Sequence, residues 1–160
     1  EYGSLQDYNT GMVHVEEAVE ADLNALCAID RLVIGSSERR SFLSSAIAAR
    51  RCYKAVVGSE AVGFMVIEKG LYGHAFISFM IVHPGHRREG VASALIDYAE
   101  FIAPTDKLFT STSTGNTDMQ RLCESLGFVR SSSIDNLESD ESEIVYYKQL
   151  EKKAVVGGRS

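Results

Sequence analysis

Seven apolar residues and one serine run from Ala75 to Val82, and His83-Pro84-Gly85 stops them abruptly. After Arg87-Arg88-Glu89-Gly90, the apolar residues Val91, Leu95, Tyr98 and Ile102 recur at i, i+4, i+7 and i+11. The first run suits a strand buried on both faces, and the second reads as a helix closed by Pro104. A strand that ends, turns tightly and opens a helix commits this part of the chain to a strand–loop–helix unit. It also leaves several backbone N–H groups unpaired at the helix start.

The flanking segments extend the pattern. Val13–Val15 reads as a first strand, and Val19, Leu23, Leu26 and Leu32 mark a helix over about 19–32. A second helix opens near Ser36-Ser37-Glu38, with Ser37 as the expected N-cap and Phe42, Leu43, Ala46 and Ile47 on its apolar side. Cys52–Val57 and Ala61–Glu68 flank Gly58-Ser59-Glu60 as a hairpin. Lys107–Ser113 reads as a strand, and Met119, Leu122, Cys123 and Leu126 mark a short helix ended by Gly127. Phe128-Val129 begins a strand, Ser131–Glu143 is a polar, acidic connection, and Ile144–Leu150 is a last strand. The order βααβββαβαββ describes a mixed α/β domain.

At 160 residues the chain is expected to form one domain over 12–150. Residues 1–11 and 151–160 are read as flexible or cloning-derived ends, with Met12 as the native start. A net charge of −6 argues against a general nucleic-acid binder, which needs a basic face. It leaves room for a local basic pocket that takes one small polyanion. The longest apolar run is far shorter than a membrane span, and no partner membrane is expected. Cys27, Cys52 and Cys123 are odd in number, widely spaced and without a C-x-x-C pair. Neither a disulfide framework nor a metal site is expected, and a reducing cytoplasm fits best.

The junction at 83–93 carries the chemistry. Free helix-start amides and the helix dipole favour an anion. Gly90 lets the backbone approach a ligand closely, Ala92 and Ser93 keep the first turn uncrowded, and Arg87 and Arg88 add positive charge. A phosphate or pyrophosphate cradle follows, although a plain turn with solvated arginines accounts for the same spacing. Gly85 and Gly90 have the spacing of a nucleotide-hydrolase loop, but Val91-Ala92 replace its Lys-Ser/Thr pair. No G-x-G-x-x-G fingerprint is present.

Arg87-Arg88-Glu89-Gly90-Val91-Ala92 resembles the Q/R-x-x-G-x-G/A motif of the GNAT N-acetyltransferase superfamily. Asn116 through Gly127-Phe128 resembles its second signature, and the likeness covers about 13–150. It implies a GNAT-like α/β (α+β) fold, with a mixed, mostly antiparallel sheet of six to seven strands flanked by about four helices. It implies acetyl-CoA as cosubstrate, held at its pyrophosphate by Arg87, Arg88, Glu89, Gly90, Val91, Ala92 and Ser93, mainly through backbone N–H groups. Met80, Ile81 and Val82 would pair with the pantetheine arm, Val82 offering a backbone amide to the thioester oxygen. Asn116 matches a position that contacts the cofactor.

The resemblance implies transfer of acetyl to a primary amine, of a small molecule or a peptide, by direct attack in a ternary complex. The sequence departs from the family at the acid and base. Cys123 stands where a tyrosine commonly protonates the leaving thiolate, and it is the candidate general acid. Ser78 and Ser111 stand where the family often carries a glutamate base, leaving Glu68 as the candidate, with His74 and His83 behind it. His74 and His86 are expected to be exposed. Asp135, Glu138, Asp140, Glu141 and Glu143 would draw a cationic amine. Of Tyr146 and Tyr147, one is expected in the core. Dimerisation is common in the family, so a homodimer is admitted. The departures motivate an alternative: a degenerate domain that binds acetyl-CoA or CoA as a sensor without turnover.

Overall fold

The structure is a computed structural model and describes residues 13–137 and 140–151. The expected Met12 start, Glu138 and the tail beyond Glu151 lie outside the described residues. The element order is β1 (Val13–Glu17), α1 (Leu23–Ile34), α2 (Arg40–Ala48), β2 (Cys52–Val57), β3 (Glu60–Leu71), β4 (His74–Val82), α3 (Val91–Ile102), β5 (Lys107–Ser113), α4 (Thr117–Ser125), β6 (Val129–Ile134) and β7 (Glu143–Gln149). Single 3-10 turns precede α1 and follow β4. This is a mixed α/β fold with a seven-stranded, mostly antiparallel sheet and four helices, in the expected order βααβββαβαββ.

The described residues group into two compact units. The first comprises those up to Glu68 together with Ile77–Ile102. In it β1 pairs antiparallel with β2, and β2 with β3 across the Gly58-Ser59 turn. Leu26, Ile29, Leu43, Ala46 and Ile47, from α1 and α2, close a core with Cys52, Phe64 and Val66. Phe79 and Ile81 of β4 pack against that core. Gly63 allows a close backbone approach. A Cβ there would sit 2.9 Å from the Ile81 carbonyl oxygen and 3.0 Å from Val91 Cγ1. Removing the side chain at Gly63 thus lets β3 sit tightly against the end of β4 and the first residue of α3.

The second unit comprises Lys69–Phe76 and the chain from Ala103 onward. Here β7 lies between β5 and β6, antiparallel to both. Leu108, Cys123, Phe128, Ile144 and Tyr146 are buried. Every residue of β6 is exposed.

Four local expectations are corrected. Ser37 does not cap α2. The helix begins at Arg40 behind Arg39, and the Ser37 hydroxyl instead accepts from Arg31 Nη1 at 3.2 Å. In β4, only Ala75 and Ile77 are buried. Residues 78–82 are half-buried, because an apolar composition does not determine how much cover other elements supply. β3 runs on to Leu71, so Glu68 lies inside the strand and does not end it. β6 continues through Ser131-Ser132-Ser133 to Ile134, where a loop was expected. A fully exposed edge strand needs no hydrophobic alternation, so its sequence carries no strand period.

Candidate active site

In the first unit the end of β4 leads straight into the predicted cradle. His83 N donates to Val62 O at 2.8 Å, which holds the exit of β4 against β3. Pro84–His86 then form a 3-10 turn capped by His83, whose Nδ1 accepts from Gly85 N at 2.8 Å. His83 thus serves as the cap of this turn through Nδ1. His86 Nδ1 and Glu89 Oε1 are 2.8 Å apart, tying Glu89 back to the turn.

The next residues have unusual backbone geometry. Arg88 has φ +66° and Gly90 φ +83°, both in the left-handed region. A glycine takes that conformation freely; an arginine does so at a cost of roughly 1–2 kcal/mol. The chain then enters α3 at Val91, and Ala94 N is bonded to Gly90 O at 2.9 Å. The amides of Gly90, Val91, Ala92 and Ser93 precede that first helical bond, so they have no acceptor inside the helix. No acidic side chain occupies the first turn. Amides without an intrahelical acceptor, a helix dipole and two arginines on a loop with two left-handed residues are the features that an anion site of this kind requires. The predicted cradle residues 87–93 are therefore brought together, directly after Met80, Ile81 and Val82 on β4.

On the same strand, Ser78 Oγ donates to Glu68 Oε2 at 2.8 Å. Arg51 Nη1 lies 3.7 Å from the same carboxylate oxygen. The candidate base is thus anchored to β4 through a hydroxyl, a contact the sequence reading missed. Nothing in the sequence spacing of Glu68 and Ser78 signals it, since it depends on how β3 and β4 are brought together.

In the second unit, Asn116 caps α4, its Oδ1 accepting from Met119 N at 3.1 Å. The cap uses the side-chain oxygen and leaves the amide group able to donate. Gln120 Nε2 donates to Ser113 O at 3.1 Å and to Thr114 O at 2.9 Å, bracing the loop before the cap.

Cys123 corrects the expectation of a general acid. It is 0% exposed, and burial, reinforced by the nearby Glu124 carboxylate, pushes its thiol up to about 11. Tyr146 is the buried member of the tyrosine pair, its hydroxyl donating to Glu124 Oε2 at 3.4 Å. Tyr147 is half-buried, with its ring 5.7 Å from that of Phe109.

The acidic segment is partly tied down. Ser111 Oγ donates to Glu143 Oε2 at 2.8 Å, Ser142 donates to Asp135, and the Glu141 carboxylate lies over Gly115. His74 and His86 are half-buried rather than exposed. Phe109 lies 5.7 Å from the His74 ring, and Glu89 holds His86. Among the described residues, no group of three or more His, Cys, Asp or Glu is placed to hold a metal ion. No helix among them is long and apolar enough to cross a membrane.

Comparison with known proteins agrees with this geometry. The sequence model of the acetyltransferase (GNAT) family matches residues 24–128. A GNAT-family acetyltransferase structure from Bacillus cereus is 34% identical, with a TM-score of 0.85, over 89% of this chain and 100% of its own. A Bacillus anthracis structure in complex with acetyl coenzyme A, assigned as a streptothricin acetyltransferase, is 26% identical. The match covers 62% of this chain and 61% of that one, with a TM-score of 0.57. The Escherichia coli ribosomal-protein alanine N-acetyltransferase shares the fold, with a TM-score of 0.75 and 19% identity over 89% of this chain and 97% of its own. No curated protein matches the sequence. With its family signature covering the strand–loop–helix cradle and the Asn116 helix alike, the chain belongs to the acetyltransferase (GNAT) family.

Proposed function

We propose that residues 12–150 act as one acetyl-CoA-dependent N-acetyltransferase domain that acetylates a primary amine by direct attack in a ternary complex. The observation that carries this reading is the cradle: Gly90 in the left-handed region, four helix-start amides and Arg87-Arg88, all immediately after β4. Those amides bind the pyrophosphate of acetyl-CoA, with Arg87 and Arg88 adding charge and Glu89 held aside by His86. Met80, Ile81 and Val82 pair with the pantetheine arm, and the Val82 amide polarises the thioester carbonyl. Asn116 donates to the cofactor with the amide group its cap leaves free.

An amine of pKa near 10.4 is mostly protonated at neutral pH, and presenting its neutral form costs about 4–5 kcal/mol. Glu68 is the proton acceptor that offsets part of this, and alignment of the two substrates supplies much of the rest. Cys123 is left out of the chemistry by its burial, so the departing thiolate takes its proton from water or from the amine itself. The acidic residues around Asp135–Glu143 favour a cationic acceptor. A cytoplasmic location and a homodimer are compatible with this reading.

The test is acetyl-CoA binding by calorimetry, followed by thiol release with a panel of primary amines. Binding with CoA release on one amine supports the enzyme. Gly90→Val should weaken binding at least about tenfold, because a β-branched residue is strongly disfavoured at this φ. Binding without release on any amine would favour the sensor reading, and absence of binding would remove the cradle argument.

A further inference from the structure

We propose that Ser78 relays the acceptor's proton to Glu68, so that the base works through a hydroxyl on β4 and not by direct contact. This rests on the acetyltransferase reading and specifies how its proton acceptor is reached. Ser78 Oγ is 2.8 Å from Glu68 Oε2, against 3.4 Å from the Val66 carbonyl, so its proton is directed at the carboxylate. A hydroxyl that donates keeps two lone pairs for accepting. Ser78 precedes Met80 by two residues on β4, which places its backbone about 7 Å from the strand segment assigned to the thioester arm. Glu68 lies on β3 and is additionally braced by Arg51, with Nη1 at 3.7 Å. The carboxylate is therefore fixed one strand away, and Ser78 is the group on β4 that joins it to the reacting end.

The step balances. An ammonium N–H proton passes to Ser78 Oγ as the Oγ–H proton passes to Glu68 Oε2. The freed nitrogen lone pair forms a bond to the thioester carbonyl carbon, the C–S bond breaks, and the electron pair leaves on sulfur. The nitrogen's second proton goes to the CoA thiolate, directly or through water, and Glu68 returns its proton to solvent. Ser78 touches the amine and is the catalytic residue, and Glu68 acts through it.

The experiment uses acetyl-CoA with lysine, spermidine and an alanine-led tetrapeptide as acceptor probes, and records kcat/KM against pH for wild type, Ser78→Ala, Ser78→Thr, Glu68→Gln and the Ser78→Ala/Glu68→Gln double variant. Ser78→Ala and Glu68→Gln should each lose about a hundredfold near neutral pH, in the range of a removed acid–base group. The double variant should lose no more than either single one, as for groups acting in one unit. Both losses should shrink as pH approaches the amine's own pKa near 10. Ser78→Thr should stay near wild type, and acetyl-CoA affinity should hold within about twofold throughout, which separates loss of the relay from loss of the fold. Wild-type rate and pH profile in Ser78→Ala, additive losses, or deficits that persist at high pH would each overturn the relay while leaving the enzyme reading in place. Wild type that binds acetyl-CoA but acetylates none of the probes would overturn both.

Discussion

Arg88 and Gly90 hold the same left-handed backbone region for different reasons. Gly90 is the residue type that conformation favours, whereas Arg88 adopts it against its own preference at φ +66°. Strain of this kind persists where the surroundings enforce it, and it concentrates at functional sites. Replacing Arg88 with glycine should therefore raise stability by about 0.5–1 kcal/mol, read from urea midpoints. The same change should weaken acetyl-CoA binding by about three- to tenfold, since one cation leaves the pyrophosphate site; equal or tighter binding would mean that the side chain is ornamental. Cys123 makes the opposite case, a residue expected from the family resemblance to act as an acid that lies buried in the core. Its folded thiol is raised to about 11, so it contributes stability below the unfolded thiol's ordinary 9.0, and that stability is lost as pH rises through about 11. Wild type should lose urea resistance between pH 9 and 11 more steeply than Cys123→Ala does. That variant should keep its turnover within about twofold while losing about 1 kcal/mol of stability at pH 7 to the small cavity. A tenfold fall in turnover with acetyl-CoA affinity intact would restore the thiol to the mechanism. The strand–turn–helix junction at 83–93 was legible at this scale because its glycines, proline and apolar periods stand in a fixed local order, and the anion site proposed there rests on that order. The Ser78–Glu68 and Ser111–Glu143 pairs were not, because each joins residues brought together by strand pairing.

Among the elements, those whose period matches their burial were read to within a residue or two. β5 was expected at Lys107–Ser113 and is observed there. α3 was expected from Val91 and ends at Ile102, two residues before Pro104. The start of α2 and the length of β6 were missed, one because backbone geometry displaced the expected cap and the other because an exposed strand has no period to read. The junction between β1 and α1 shows what holds an element end where composition says little. Asp22 lies at the entry to α1, with its carboxylate 2.8 Å from Lys54 Nζ on β2 and its other oxygen accepting from Val19 N at 2.8 Å. Burial alone would raise the Asp22 pKa; the hydrogen bonds from Lys54 and Val19 and the Lys54 charge together lower it below 3.8. Lys54 is raised above 10.5, its partners Asp22 and Glu16 outweighing burial. A lowered carboxylate gives stability that is present above its unfolded pKa and lost as pH falls through the folded one. A raised ammonium gives stability that is lost as pH rises through its folded pKa. Asp22→Asn should therefore cost about 1 kcal/mol, as expected for a partly screened pair, with a flat penalty from about pH 5 to about pH 10 that closes on either side. Urea midpoints at pH 3, 7 and 11 would check it, and a penalty undiminished at pH 3 would point to shape rather than charge.

At the scale of the whole molecule, charge and site pull in opposite directions. The chain carries a net charge of −6, yet its proposed ligand is itself a polyanion. Long-range electrostatics cannot recruit such a ligand, so recognition must come from groups within about one Debye length, near 8 Å at physiological salt. The helix-start amides and Arg87-Arg88 are the groups so placed, and the affinity they generate must appear as stability of the entire fold. A ligand that binds only the native state adds RT ln(1 + [L]/Kd), about 2.7 kcal/mol at a hundredfold excess over Kd. For a chain of this size each kcal/mol moves Tm by about 2–4 °C, so acetyl-CoA at that excess should raise Tm by about 5–10 °C. Inorganic pyrophosphate should give a smaller shift in the same direction, since it engages the cradle but not β4. Gly90→Val should show neither shift at the same concentrations. If acetyl-CoA raised the Tm of Gly90→Val as far as that of wild type, the ligand would be held by groups other than the cradle, and the assignment of Arg87 to Ser93 would fail even though the chain bound its cosubstrate.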